Sequence, residues 1–439
     1  MSVIEKTKKK RKMSPITLLF IENYFYWLSF GLTVVAYASF FVHDFYKGKN
    51  IPAASKLYGI CETFYYLSQL FGNPFFGVFA DHFGRKNTIL VIIIAASVDW
   101  FIISTARTSI IIIISRFIHG FCDSYSPTVS SYMSDLTTQD NFAKKMGMLH
   151  GLGGIGLISG LLVAFLLSRF GLKNQHLFIL SSVALFIDGM FVYLFLPESI
   201  ETKNSKKFDW SRANPAGSFK FIFKNEKNKP LIAILILDII GGTCCLVILQ
   251  FYLRMKFHFT EGNIYLILFE ASLFQIFSMA VLLKISIKKR GNKQTLIDAF
   301  VAQALMNFLS VVATRGWMFY LIVPLVYQFV AFSVIQSFFK NLVDKKNQGV
   351  LFGSLQFSAN LANVLAKYMY PIVFSYSSTK YHFPEAVFII ALICSLLGLY
   401  IVTQLDEGKY FVKKKMQKLD LNLNINLNKK ENLKKFEQD

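Results

Sequence analysis

The sequence predicts an all-α polytopic membrane protein of twelve transmembrane helices in two six-helix halves. The first observation behind this is composition: 54% hydrophobic residues and only 17% charged, with a mean hydropathy of +0.45. The second is the recurrence of apolar runs close to the ~20 residues that cross a bilayer. The third is one long basic loop that separates six such runs from six. This composition excludes an ordinary soluble enzyme. A net charge of +21 would indicate nucleic acid only if the basic residues formed a stripe on a soluble domain. They stand between apolar runs instead, where a membrane surface explains them, so no nucleic-acid partner is expected.

The elements follow in order. Residues 1–14 are a basic arm with six Lys and Arg. Ser14 and Pro15 read as an N-cap and a first helical residue. They open a run to about Phe41 that is too long for a signal peptide and is expected to stay as the first span. Further runs lie at 57–79, 88–105, 110–133, 146–168, 176–196, 231–253, 263–287, 295–314, 317–339, 350–374 and 384–404, the run at 263–287 being interrupted by Glu270 and Lys284. The polar stretch 197–229 divides an N-terminal half, 15–196, from a C-terminal half, 230–404. Shifting one half by about 207 residues lays 284–293 on 77–86, as a parallel duplication would. Residues 405–439, with Leu-Asn alternation and lysine clusters, read as a tail that is disordered or lies on an anionic leaflet. With both termini on one side, that side holds 35 of the 47 Lys and Arg and the other side 10, while Arg116 and Lys367 fall within spans. The positive-inside rule therefore predicts an integral multi-pass protein with both termini cytoplasmic.

Between the second and third runs stands Gly77-Val78-Phe79-Ala80-Asp81-His82-Phe83-Gly84-Arg85-Lys86, spaced G-x-x-x-D-x-x-G-R-K. It resembles the signature loop of the major facilitator superfamily, although a basic loop obeying the positive-inside rule is the plainer alternative. Arg116-Phe117-Ile118-His119-Gly120 is similar to that family's R-x-x-q-G pattern, with His119 where glutamine is usual. The resemblance implies that Gly77, Asp81, Gly84, Arg85 and Lys86 form a cytoplasmic gate motif, with Asp135 at the end of the fourth span as partner of Arg85. Gly147, Gly156 and Gly160 resemble the glycine-rich motif of drug and proton antiporters, without its proline at Leu161. Small residues that merely let helices approach are the equal alternative. Pro197-Glu198-Ser199 is similar to a short string found after the sixth span in sugar and tetracycline transporters. The second half departs more, with Lys284, Lys288 and Asn292 at the positions of Gly77, Asp81 and Arg85, though Gly291 is kept. The likeness is nearest to the drug and proton antiporter branch that includes tetracycline exporters.

In the fold that this resemblance implies, Glu22, Arg116, Asp123, Asp238, Gln328 and Gln336 line a central substrate and proton cavity. Gly147, Gly156, Gly160 and Lys367 belong to the helices between the halves, as do Glu62, Glu270, Gln356 and Asn360. Asp99 and Asp188 fall on supporting helices, where structural contacts are expected. An arginine at membrane depth needs a partner, and Glu22 or Asp123 is expected to neutralise Arg116. For any one of these residues a buried structural ion pair is the competing reading. Acids outnumber bases within the spans, which suits proton coupling or recognition of a cation.

No cofactor is expected. The chain has no G-x-x-x-x-G-K-[ST] string, its seven histidines have no metal spacing, and Cys61, Cys122, Cys244, Cys245 and Cys394 have no disulfide framework. The expected function is alternating-access secondary transport of a small organic solute, driven by protons. A passive facilitator of the same fold, or a membrane scaffold or sensor, is the alternative. The expected partners are solute, protons and membrane lipid, and the chain is expected to act as a monomer.

Overall fold

The computed structural model describes residues 13–200, 228–342 and 348–406, which are helical with no strand among them. The arm 1–14, the linker 197–229 and the tail 405–439 fall almost wholly outside the described residues. The helices are α1 (Pro15–Ser39, prolonged by a π turn, Phe40–Phe45), α2 (Ile51–Phe83), α3 (Arg85–Thr105), α4 (Ser109–Cys122), α5 (Tyr125–Leu136), α6 (Gln139–Arg169) and α7 (Asn174–Phe195). Beyond the linker come α8 (Lys229–Phe257), α9 (Glu261–Phe277, prolonged by a π turn, Ser278–Leu282), α10 (Leu283–Val312), α11 (Met318–Ile322), α12 (Val330–Leu342), α13 (Gln348–Lys380) and α14 (Ala386–Gln404). Among the described residues, eight segments are long and apolar enough to cross a membrane. Joining α4 to α5 and α11 to α12, dividing α10 at Gly291 and running its first part on from α9 through the π turn gives twelve rods, the predicted number.

The expected cap is present, since Ser14 Oγ accepts from Thr17 N at 3.2 Å. Several boundaries differ from the apolar runs. α2 begins six residues before the run at 57–79, because Asn50 Oδ1 caps it by accepting from Ala53 N at 3.0 Å and Pro52 sits in its first turn. The run at 110–133 is two helices. Pro127 supplies no N–H to the carbonyl of Asp123 and its ring collides with that carbonyl, so the chain leaves helical geometry at Asp123, with ψ of 82°. Pro324 likewise stands in a 3-10 stretch, Val323–Phe329, between α11 and α12.

The duplication is visible in local geometry. Gly84 has φ 102° and Gly291 has φ 83°, each with an extended ψ, which only glycine adopts without strain. Thr88 Oγ1 donates to Gly84 O at 2.8 Å, and Thr295 Oγ1 to Gly291 O at 2.7 Å. Lys86 Nζ reaches Tyr193 O at 2.8 Å, and Lys293 Nζ reaches Thr403 O at the same distance. Each pair of donors is 207 residues apart.

The two halves meet where α2 packs on α13 and α6 on α9. A Cβ on Gly59 would strike the Pro371 ring, and the Phe165 and Tyr265 rings meet edge to face at 6.3 Å. The outward faces stay apolar, as on α7, where Phe186, Ile187, Leu194 and Phe195 are exposed. A contiguous patch of that kind belongs against lipid. Gly156 and Gly160 do not face the other half. A Cβ on Gly156 would meet Tyr24 O, and one on Gly160 would meet Leu28 O, both on α1 of the same half, whereas Gly147 has open space around it. The close-approach alternative therefore describes Gly156 and Gly160.

Replacing Gly160 by leucine should cost about 1–3 kcal/mol through forced separation of α1 and α6. Gly147→Leu should cost almost nothing. Thermal unfolding of the two purified variants checks this, and equal losses would contradict it.

Candidate functional site

A buried ion cluster lies between α2, α3, α4 and α13. Arg116 needs charge partners at this depth, and it finds two. Its Nη2 lies 2.7 Å from Glu62 Oε1 and its Nη1 lies 2.8 Å from Asp99 Oδ2. Glu62 turns its other oxygen to Lys367 of the opposite half, at 3.3 Å. His119 Nδ1 is 2.7 Å from Asp99 Oδ2, and Ser115 Oγ donates to Asp99 Oδ1 at 2.5 Å. With His119 neutral, two cations face two carboxylates and the cluster has no net charge. Aromatic rings replace water around it. The guanidinium lies 4.4 Å from the Tyr65 ring centre, 5.0 Å from Tyr37 and 5.4 Å from Trp100, and Lys367 Nζ lies 5.3 Å from the Tyr66 ring. Such faces attract cations most strongly where water is excluded.

This corrects the expectation that Glu22 or Asp123 neutralises Arg116. The acids that do so are Glu62, which was placed between the halves, and Asp99, which was assigned a structural role. Helical spacing misleads here, because Asp123 is seven residues from Arg116 but stands past the end of α4. It is held by uncharged donors: Gln69 Nε2 at 3.2 Å, Tyr125 N at 3.3 Å, and the hydroxyls of Tyr26 and Tyr65. Glu22, on α1, accepts from Tyr125 Oη at 3.0 Å. Tyr26 and Tyr125 stack with ring centres 3.7 Å apart, which joins the environments of Asp123 and Glu22. In the other half Asp238 is buried on α8 beside Gln303, whose Nε2 reaches the Asp238 carbonyl oxygen at 2.9 Å. Gln336 is half-buried on α12, and the side chain of Gln328 lies outside what is described.

A second cluster surrounds the Gly77–Lys86 loop. Arg85 Nη2 is 2.6 Å from Asp81 Oδ1, and its Nε is 3.4 Å from Asp135 Oδ2. Sequence reasoning gave Glu198 little weight, yet its carboxylate accepts from Arg85 N at 2.8 Å and Lys86 N at 3.2 Å. It thus covers the positive N-terminus of α3. Ser199 Oγ adds a 2.9 Å bond to Asp135 Oδ2. The signal was the Pro-Glu-Ser string itself, whose glutamate could cap a helix only across the fold. A Cβ on Gly84 would collide with the Glu198 carboxylate, so φ and space both favour glycine there. Gly77 has open space around it.

At the end remote from this loop, the halves are joined by hydrogen bonds. Arg254 donates to Ser39 Oγ, and Gln250 Nε2 reaches Val34 O at 3.4 Å.

A two-half helical membrane bundle with a buried ion cluster across its midline is the architecture of a polytopic transporter. The family model of the Major Facilitator Superfamily matches residues 19–367, and the chain belongs to that superfamily of transporters, which are not enzymes. It is 23% identical over 328 residues to the tetracycline resistance protein, class C, of Escherichia coli, covering 74% of this chain and 82% of that one. It is also 23% identical to multidrug resistance protein 2 of Bacillus subtilis (strain 168), over 92% of this chain and 98% of that one. The crystal structure of a D-xylose-proton symporter shares the fold with a TM-score of 0.68 at 16% identity, covering 88% of this chain and 97% of that one.

Arg116→Lys should lower stability by about 1–3 kcal/mol, since one ammonium cannot serve Glu62 and Asp99 as a planar fork does. Thermal unfolding in detergent at matched pH checks this. A midpoint equal to wild type would show that the two contacts are not both needed.

Proposed function

We propose that this chain is a proton-coupled secondary transporter that moves a small organic solute by alternating access, as a monomer with both termini in the cytoplasm. The observation that carries the reading is Glu62, one carboxylate shared between Arg116 of its own half and Lys367 of the other. A non-transporting scaffold has no evident use for costly ions where its halves meet. A transporter does, because the contact is charge-balanced when made, and when it parts Glu62 keeps Arg116 while Lys367 is freed from its partner across the halves. The joined far end, at Arg254 with Ser39, supports a state whose cavity opens towards the Gly77–Lys86 loop. Asp81, Arg85, Asp135 and Glu198, already bonded to one another within the first half, would hold the loop in the shape in which it closes against the other half in the opposite state.

Glu22, Asp123 and Asp238, with Gln328 and Gln336, are then the groups that would line the cavity as the halves move, and Arg116 stands behind them in the ion cluster. Glu22 is the first choice for the coupling carboxylate and Asp238 the second, one from each half. Each is buried, and neither is in an ion pair among the described residues, so either can gain or lose a proton without breaking a salt bridge. Names among the relatives, tetracycline resistance and multidrug resistance, support an organic solute, and the fold shared with a proton symporter supports the driver.

Reconstituted into liposomes, the wild type should concentrate solute under an imposed pH gradient. Glu22→Gln should reduce that accumulation about tenfold, equivalent to about 1.4 kcal/mol. Equilibration without accumulation would make the chain a passive facilitator, and retention of pH-driven accumulation by both Glu22→Gln and Asp238→Asn would move coupling elsewhere.

The loop reading has its own test. Asp81→Asn should lower transport about tenfold at near-normal yield of folded protein, and Gly84→Val, whose backbone is strained, should lower transport far more than it lowers the amount of folded protein. Wild-type turnover in both would remove the loop from the mechanism.

A further inference from the structure

Glu22 is not the only unpaired acid in its neighbourhood. α1 and α7 lie side by side and run in opposite directions. Ser29 and Ser181 meet with their Oγ atoms 2.5 Å apart, and about three turns further along α1 and one turn back along α7 Phe40 meets Phe178, at 5.5 Å between ring centres. Glu22 is seven residues before Ser29 and Asp188 seven residues after Ser181. Seven residues are about two helical turns and return to the same face, so the antiparallel register sets the two carboxylates opposite each other.

Both are sealed from solvent, at 0% and 2% exposure. Glu22 Oε1 and both oxygens of Asp188 are buried without a hydrogen-bond partner. Among the described residues the surroundings supply no cation to balance them. α5 contributes the hydroxyl of Tyr125, bonded to Glu22 and Asn23, α1 itself contributes Tyr26, stacked on Tyr125, and the Tyr132 hydroxyl is turned away to Pro197 O at 2.6 Å. From α6, Lys145 is turned to the Phe20 ring, 5.9 Å from its centre, and His150 is exposed. Arg116 is committed to Glu62 and Asp99. Where α8 reaches α1 it does so at Val34 and Ser39, two turns or more beyond Glu22.

Two adjacent charges of one sign in an apolar interior are strongly disfavoured, and one proton shared between them removes the conflict. We propose that Glu22 and Asp188 form a single proton-binding site that holds one proton between them. One acid keeps its O–H and donates it to a carboxylate oxygen of the other, which gives the orphaned oxygens their missing partners. When the site empties, the proton leaves to water and both groups are carboxylates. This deepens the proton-coupled reading and rests on it for the use to which the proton is put.

The test is infrared difference spectroscopy of the purified full-length protein across a pH titration, following the carboxylic-acid C=O band in normal and heavy water. The wild type should show a proton-sensitive band that is lost in Glu22→Gln and equally in Asp188→Asn, with the double variant no different from either. Asp188→Glu should restore the band, and Asp238→Asn should leave this one untouched. A band removed by Glu22→Gln but unchanged by Asp188→Asn would overturn the shared site while leaving Glu22 as coupling residue. Removal of the band by sodium chloride at constant pH would overturn it in favour of a metal-cation site. If the band behaves as expected while wild-type liposomes never accumulate solute under a pH gradient, the proton site stands and the coupled-transport reading fails.

Discussion

Everything in the middle of this protein depends on the sharing of Glu62. Its two oxygens serve cations from different halves, 2.7 Å from Arg116 and 3.3 Å from Lys367. Removing one partner from such a pair typically costs about 3–5 kcal/mol, because an unbalanced charge is left behind, while the intact pair adds little net stability against an apolar replacement. The cluster is therefore better understood as a device for position than as a source of stability. It sets the depth at which α2 meets α13, and Gly59 against Pro371 lets the two helices come close enough for the ions to touch.

The rest of the first half is arranged around that constraint. Asp99 and His119 hold the second side of Arg116, and Tyr37, Tyr65 and Trp100 close over its faces, so three helices are fixed relative to α4. The helix ends at Asp123 because Pro127 cannot continue it, and this break turns Tyr125 towards Glu22 and Asn23 instead of along the α4 axis. One backbone interruption thus separates a charged network on one side from a tyrosine-lined acidic network on the other. At the loop end, the N-terminus of α3 receives Glu198 from beyond α7, which ties the first and last parts of the half together.

Much of this was legible in the sequence. Period and length revealed the spans, and the spacing G-x-x-x-D-x-x-G-R-K named the loop correctly down to Gly84, whose φ of 102° is what the motif's glycine requires. The shift of 207 residues recovered Gly291, but not the threonine bond that its carbonyl accepts. Pairings across the fold were not legible. Arg116 was matched to acids near in helical phase, whereas its partners Glu62 and Asp99 come from neighbouring helices whose rotation no single-chain period reports. Asp188 looked like a structural acid for the same reason, since only the Ser29 and Ser181 contact fixes the register that sets it against Glu22. Boundaries erred where polar residues continued a helix past its apolar run, as at Ile51, or where proline ended it within one, as at Asp123.

The most direct measurement of the account is a double-mutant cycle between Glu62 and Lys367, using Glu62→Gln, Lys367→Met and the double variant, read by thermal unfolding of the full-length protein in detergent. If one carboxylate holds both halves, the two changes will be non-additive by about 1–3 kcal/mol, with the double variant less damaged than the sum of the singles. Additivity within about 0.5 kcal/mol would show that Glu62 and Lys367 do not interact across the halves, and would contradict the account at its centre.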